Sequence, residues 1–280
     1  MCFELGEATR FDPVRNWDEK IRYYSVAAGV RPLSSIFLTL GNLHSYSRRY
    51  QQSLHDLKQA ARLNPKSARS WSGLGTVQMR MGNLDEAGAA YIRAQELNAN
   101  ILLGDPFYPE YLDLAGNTEQ AIEHVRNSLS AGQGDSLSQR CLLVKMLTKQ
   151  KRYLDAANAF PNSTDASVPV RDYVLDARGI AAAAAIRAAD GQGVDAAGLS
   201  VEQRAALRSQ SLAWLSHNLE LWLARRPNAD DALHQIVRAR ESRAVTSVYA
   251  AEPLSLLPSE EQQEWRRFWS NVDEAQRQLR

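Results

Sequence analysis

Polar and apolar positions alternate with helical rather than strand spacing along most of the chain. In "GNLDEAGAAYIRAQELN", residues 82–98, the core-type residues Ala87, Tyr91 and Ala94 fall four and three residues apart, the rhythm of one helix face. The phrase returns 34 residues later as "GNTEQAIEHVRNSLSAG", starting at Gly116. The same step works upstream. Trp71 falls on Phe37, Leu74-Gly75 on Leu40-Gly41, Ala87 on Ser53, Tyr91 on Leu57 and Ala94 on Ala60, each pair 34 apart. Downstream, Gly82, Ala87 and Tyr91 reach Gly116, Ala121 and Val125.

This period, with its order of aromatic, Leu-Gly, small, bulky, small and proline, resembles the tetratricopeptide (TPR) repeat. The resemblance implies units of two antiparallel helices. Small residues such as Gly75 and Ala87 would sit where helices approach most closely, and Trp71, Leu74 and Tyr91 would fill the gaps between them. One such hairpin cannot cover its own apolar face, so hairpins stack, and a fixed repeat length keeps the stack in register. The implied fold class is all-α, a TPR-like α-solenoid with a helical C-terminal cap. Residues 1–33 read as an N-terminal cap and half repeat. Residues 34–165 read as the array, with clear units at 34–67 and 68–101 and two degenerate ones after them. The third unit is expected to start near Asp105-Pro106, and Pro109 stands oddly at the Gly75-equivalent place. In the fourth, "KRYLDAANAF" repeats the motif one residue out of phase before Pro161-Asn162. Upstream, "NWDEKIRYYSVAAGVRP" (16–32) matches only the second half of a unit, which implies an improvised cap from residues 1–13 or a longer parent.

Residues 166–280 lose the period and stay helical. "DYVLDARGIAAAAAIRAAD" (172–190) is an Ala-rich helix, and "DGQGVDAAG" (190–198) reads as a flexible break. Ser200 with Gln203 makes a capping box for a helix reaching about Arg226, with Leu207, Trp214, Leu215, Leu221 and Trp222 on its apolar positions. A shorter helix is expected over 229–241. "AVTSVYA" (244–250) is the best, and weak, strand signal, and "AAEPLSLLP" (250–258) reads as a loop. Ser259 with Gln262 is expected to cap a last helix whose Trp265, Phe268, Trp269 and Val272 form one apolar stripe.

This C-terminal region resembles the segment that follows the repeats in planctomycete-type bacterial serine/threonine protein kinases. The matching frame is Pro253, Leu257-Pro258, Glu261, Trp269 and Val272-Asp273 within "TSVYAAEPLSLLPSEEQQEWRRFWSNVDEAQRQL" (246–279). The half-unit at 16–32 resembles the phrase that opens many of those arrays. The sequence holds no Gly-rich loop, V-A-I-K lysine, H-R-D or D-F-G, so the resemblance lends architecture and no reaction.

Composition narrows the remaining classes. The net charge of +1 favours neither nucleic acid nor an anionic membrane. The longest apolar run, from Gly179, is too short to span a bilayer. The first residues lack a secretory pattern, which with the two isolated cysteines, Cys2 and Cys141, leads to the expectation of a cytoplasmic protein. His44, His55, His124, His217 and His234 show no ligand spacing, so no metal and no cofactor are expected. "GQGDS" (132–136) and "GQG" (191–193) follow no strand and read as turns. The arginines 225, 226, 238, 240 and 243 read as a solvated face, and no catalytic residue is expected.

The candidate site is the concave face that first helices line in this repeat class. Its positions here are Ser35, Leu38, Asn42, Ser45 and Tyr46, then Arg69, Ser72, Thr76, Met79 and Arg80. Asn42 coincides with an asparagine that many peptide-binding TPRs use, while Leu38 stands where chaperone-tail binders place a lysine, which argues against a carboxylate clamp. The groove residues expected to bind a peptide are Asn42, Ser45, Tyr46, Arg69, Ser72, Thr76 and Arg80. The expected function is non-catalytic: docking of a peptide or partner protein of some acidic character. The alternatives are the regulatory tail of a serine/threonine kinase, with such a kinase as partner, or a spacer without ligand.

Overall fold

A computed structural model describes residues 16–133, 136–161, 172–224, 237, 240 and 245–278. The sequence expectations for residues 1–13, for the helix at 229–241, and for Arg225, Arg226, Arg238, Arg243, His234 and the side chain of Trp222 lie outside the described residues. Every regular element among those described is helical. The chain divides into two compact units, Met1–Asp135 and Ser136–Arg280.

The first unit contains α1 (Trp17–Val30), α2 (Ser34–Tyr46), α3 (Tyr50–Leu63), α4 (Ala68–Arg80), α5 (Leu84–Leu97), α6 (Tyr108–Leu114) and α7 (Thr118–Ser130). Helices α2 and α3 pair closely, as do α4 and α5, and each hairpin packs on the next. The three-residue links at 47–49 and 81–83 leave no length for anything but an antiparallel return. The sequence period reappears as a ladder of burial. Ser53, Ala87 and Ala121 are each 0% exposed, and Leu57, Tyr91 and Val125 no more than 1%. A Cβ added to Gly41 would lie 2.5 Å from Leu57, and one added to Gly75 would lie 2.8 Å from the Tyr91 ring. The glycines are therefore seats for the bulky residue of the following helix.

Helix ends repeat as faithfully as the core. At 48, 82 and 116 the backbone turns left-handed, with φ of 60° at Arg48, 84° at Gly82 and 85° at Gly116. The next amide then reaches five residues back: Arg49 to the His44 carbonyl at 2.8 Å, Asn83 to Gln78 at 3.0 Å, Asn117 to Leu112 at 2.8 Å. This closure satisfies carbonyls that a helix end leaves open. The out-of-phase fourth motif carries the same turn at Lys151, φ 57°, with Arg152 donating to Leu147 at 2.9 Å.

The third hairpin departs from the pattern. Its first helix is only seven residues and begins at Tyr108, later than the expected Asp105-Pro106. Asp105 still orders the entry, because its carboxylate accepts from the Phe107 and Tyr108 amides at 2.9 and 3.3 Å. Pro109 consequently falls in the first turn, where a missing N–H costs nothing. Tyr108 and Tyr111 flank Tyr91, with ring centroids 5.0 and 5.1 Å away, and join this short hairpin to the second.

The second unit contains α8 (Ser136–Lys149), α9 (Tyr153–Ala159), α10 (Asp172–Ala189), α11 (Val201–Ala224), α12 (Ala251–Ser255) and α13 (Ser259–Arg277). Helix α10 packs against α8, α9 and α11 at once. That explains its alanines: Ala177, Ala181, Ala182 and Ala185 are fully buried, and only small side chains admit three neighbours at close range. The capping box opens α11 as expected, with Ser200 N–H donating to Gln203 Oε1 at 2.9 Å and Gln203 N–H to Ser200 Oγ at 3.2 Å. Trp265, Phe268, Trp269 and Val272 are buried, and Trp269 Nε1 donates to the Val248 carbonyl at 2.9 Å. Arg208 holds Glu261 through bonds of 2.6 and 3.0 Å, which ties α11 to α13.

Four expectations need correction here. Residues 190–198 are a fixed loop rather than a flexible break. Val194 N–H donates to the Lys151 carbonyl at 3.1 Å, and Asp195 accepts from Leu154 and Asp155 amides at 3.3 and 2.9 Å. Asp195 thus caps α9 from 40 residues away. Residues 250–258 contain α12 instead of pure loop, because Ala250 and Pro253 carbonyls find donors one turn on. Residues 246–248 form a 3₁₀ turn where a weak strand signal stood. Ser259 does not cap α13; Pro258 precedes it, and Gln262 reaches back to the Leu257 carbonyl at 2.7 Å.

Two substitutions test these devices. A Cβ at Gly82 would meet no atom within 4 Å, so Gly82→Ala isolates the backbone cost. Urea titration should show a loss of about 1 kcal/mol, whereas Arg48→Gly should be neutral or slightly stabilising. Asp195→Ala should cost about 1 kcal/mol, with Asp195→Asn restoring only part of it, because its one carbonyl oxygen can accept from just one of the two amides.

Candidate functional site: a groove on the first unit

Helices α2 and α4 run along the same side of the first unit. One cavity of about 600 Å³ opens between them, lined by Leu38, Asn42, Ser45, Tyr46, Arg69, Ser72, Gly73 and Thr76. Six of the seven residues expected from the repeat positions meet there: Asn42, Ser45, Tyr46, Arg69, Ser72 and Thr76. The seventh does not line it. The Arg80 guanidinium stacks over the Phe107 ring, 4.6 Å from its centre, and its Nε is buried without a hydrogen-bond partner among the described residues. Its helical phase pointed toward the groove, but the loop after α5 occupies the place it would have reached. Met79 is buried in the core with Tyr91, Ala94 and Leu102.

Neutral polar side chains form the floor. Ser45, Ser72 and Thr76 are buried, and Thr76 Oγ1 shares a hydrogen bond of 3.2 Å with the Tyr91 hydroxyl. Burial pushes the Tyr91 hydroxyl far above its ordinary pKa, so it stays protonated. At one end Tyr46 is half exposed and stacks on Trp17, ring centres 5.7 Å apart. The stack backs the Tyr46 ring, which is the aromatic surface at the groove edge. Arg69 is exposed at the rim.

Repeat positions did not reveal the groove's other wall. Ile101, Gly104, Asp105, Pro106 and Phe107 come from the loop between α5 and α6. Asp105 accepts a short hydrogen bond from Ser72 Oγ besides those from its own loop amides. Desolvation raises its pKa, against the opposing effect of these donors and of His124. His124 is itself held below the usual histidine range by burial, with its Nε2 3.0 Å from the Leu102 carbonyl. The signal available in sequence was the Asp-Pro pair, which marked a cap but not its lean over the previous unit.

Elsewhere in the chain the candidates have structural surroundings. His44 Nδ1 lies 2.6 Å from Asp56, joining α2 to α3, and Cys141 is buried. Gly132 and Gly191 occupy left-handed turns. Arg240 pairs with Asp273 at 2.7 Å. Among the described residues no group of three His, Cys, Asp or Glu is placed to hold a metal, and no helix is long and apolar enough to cross a membrane.

A carboxyl whose folded pKa is raised favours the fold below its unfolded pKa and loses that advantage as pH rises through the folded value. Asp105→Asn should therefore gain stability relative to wild type at pH 7. That gain should shrink as pH falls toward 4, which urea midpoints at the two pH values would measure.

Comparison with known proteins follows the same segment. Residues 38–100 match the family model described as tetratricopeptide repeat. Anaphase-promoting complex subunit 3 of Schizosaccharomyces pombe is 30% identical over 94 residues, 33% of this chain and 14% of that protein. The chain thus matches about a seventh of that relative's length. The C-terminal part of a TPR repeat-containing protein from Cytophaga hutchinsonii superposes with a TM-score of 0.56 at 13% identity, covering 97% of this chain and 92% of that one. The Cut9–Hcn1 hetero-tetramer of the APC/C gives 0.53 at 16% identity, covering 88% of this chain and 47% of that one. At such identities the superpositions speak for the fold alone. Residues 38–100 are thus similar in sequence to tetratricopeptide repeats, and the chain has the fold of a tetratricopeptide-repeat solenoid.

Proposed function

We propose that the first unit is a protein-interaction module that docks an extended segment of a partner in the groove between α2 and α4. Stacked helical repeats serve as binding scaffolds because successive hairpins build one continuous surface. The observation that carries the reading is the convergence of Asn42, Ser45, Tyr46, Arg69, Ser72 and Thr76 on one cavity. Its volume suits a few side chains of a peptide. Asn42, at the open side, supplies both a donor and an acceptor for a peptide backbone. Arg69 at the rim favours an acidic residue there, while Arg80, stacked on Phe107, adds nothing to that preference.

The relatives are consistent with such a role, since one is by name a subunit of the anaphase-promoting complex and another is a complex of two proteins. The resemblance of residues 246–279 to kinase tails makes a serine/threonine kinase one partner class to include. Capture from a peptide library by wild type and by Asn42→Ala/Arg69→Glu tests the groove. Capture should fall at least about tenfold in the variant, a loss of roughly 1.4 kcal/mol, and equal capture by the two proteins would reject the reading.

A further inference from the structure

We infer that the groove selects a segment carrying a basic and an acidic side chain two residues apart, the base received by Asp105 and the acid by Arg69. This rests on the docking reading above and adds the chemistry of the ligand.

Asp105 is a carboxylate inside the cavity, yet every donor that reaches it is neutral. The Phe107 and Tyr108 amides bond one oxygen and the Ser72 hydroxyl bonds the other. Among the described residues no lysine or arginine lies within ion-pair distance of it, and His124, the basic group whose charge acts on it, is disfavoured in its charged form by burial. Three donors use three of the roughly four acceptor positions of a carboxylate. They hold the group in place without cancelling its charge. A partner's ammonium or guanidinium would supply both a fourth hydrogen bond and the missing countercharge, and such charge-assisted bonds are about twice as strong as neutral ones. A second carboxylate entering the same space would meet repulsion at short range in a partly dry cavity.

Arg69 carries the opposite preference and is close by. It precedes Ser72 by three residues on α4, so its Cβ lies about 5–6 Å from that of the serine that bonds Asp105. The groove therefore offers a negative and a positive charge about one helical turn apart. In an extended chain, side chains two residues apart share a face and stand about 6.5–7 Å from each other. An Asp/Glu–x–Lys/Arg pair, in either order, matches both the signs and the spacing. A uniformly acidic segment satisfies only Arg69, and a uniformly basic one only Asp105. Asn42, Ser45 and Thr76, which line the same cavity, are neutral and suit the peptide backbone or small polar side chains.

The test uses the full chain and fluorescein-labelled nonapeptide mixtures. Two positions are fixed as Glu-x-Lys, Glu-x-Glu, Lys-x-Lys, Glu-x-Gln or Gln-x-Lys in both orders, the rest randomised, and binding is read by polarisation. The mixed-charge pair should bind about tenfold or more tighter than either like-charge pair. Asp105→Asn, which keeps an acceptor for the loop amides, should erase the advantage of Lys over Gln and keep that of Glu. Arg69→Gln should do the reverse. A Lys advantage that survives Asp105→Asn, or wild type indifferent to Lys against Gln, would overturn the inference; the wild-type comparison stands even if the variant misfolds. Binding that is lost in Asn42→Ala/Arg69→Glu but indifferent to Lys would reject this inference and leave the docking reading intact. If wild type binds no mixture, or the double variant binds all as well, both are rejected.

Discussion

The structure depends on one recurrent contact: a glycine on the first helix of a hairpin seats a bulky side chain from the second. Gly41 receives Leu57 and Gly75 receives Tyr91, at separations that leave no space for a methyl group. This sets how closely the two helices of a hairpin lie. Close approach puts Ser53 Oγ 2.7 Å from the Gly41 carbonyl, and it buries Ala60 and Ala94 completely. Because the seat at Gly41 returns 34 residues later at Gly75, the first two hairpins present the same surface, and their stacking follows from geometry rather than from any one strong bond.

The groove is a consequence of that stacking. When α2 and α4 are held side by side by the helices behind them, residues one turn apart on each line a common channel. Tyr91 links the two functions of the repeat directly. Its ring fills the seat at Gly75 while its hydroxyl bonds Thr76 in the groove floor. The loop that closes the channel is anchored by the same device at a longer range, since Ser72 on α4 holds Asp105. A packing contact behind the helix and a polar contact in front of it thus stabilise one another.

What could be read in advance was whatever depends on residues a fixed distance apart. The seats, the capping box at Ser200 and six of the groove positions all follow from spacing along a helix, which the chain writes locally. The features that escaped are set by contacts over long separations. Asp105 enters the groove because of Ser72, 33 residues earlier, and Asp195 caps a helix that starts near Leu154. Arg80 had the phase for the groove but lost the space to Phe107. The glycine pair at 191 and 193 suggested mobility, yet Gly193 lets its backbone pass so close to the Lys151 carbonyl that a Cβ would lie 2.6 Å from it. Glycine there permits contact rather than motion. Only a structure distinguishes those two uses.

The most direct test of the seat is a double-mutant cycle between Gly75 and Tyr91, read by urea unfolding. In the third hairpin the equivalent positions hold Pro109 and Val125, a larger residue opposite a smaller one, so Tyr91→Val is the natural relief of crowding. Gly75→Ala should cost about 1–3 kcal/mol in the wild-type background and much less beside Tyr91→Val, a coupling of at least about 1 kcal/mol. Strictly additive effects of the two substitutions would mean that the glycine seats nothing and that the stack is held by some other contact.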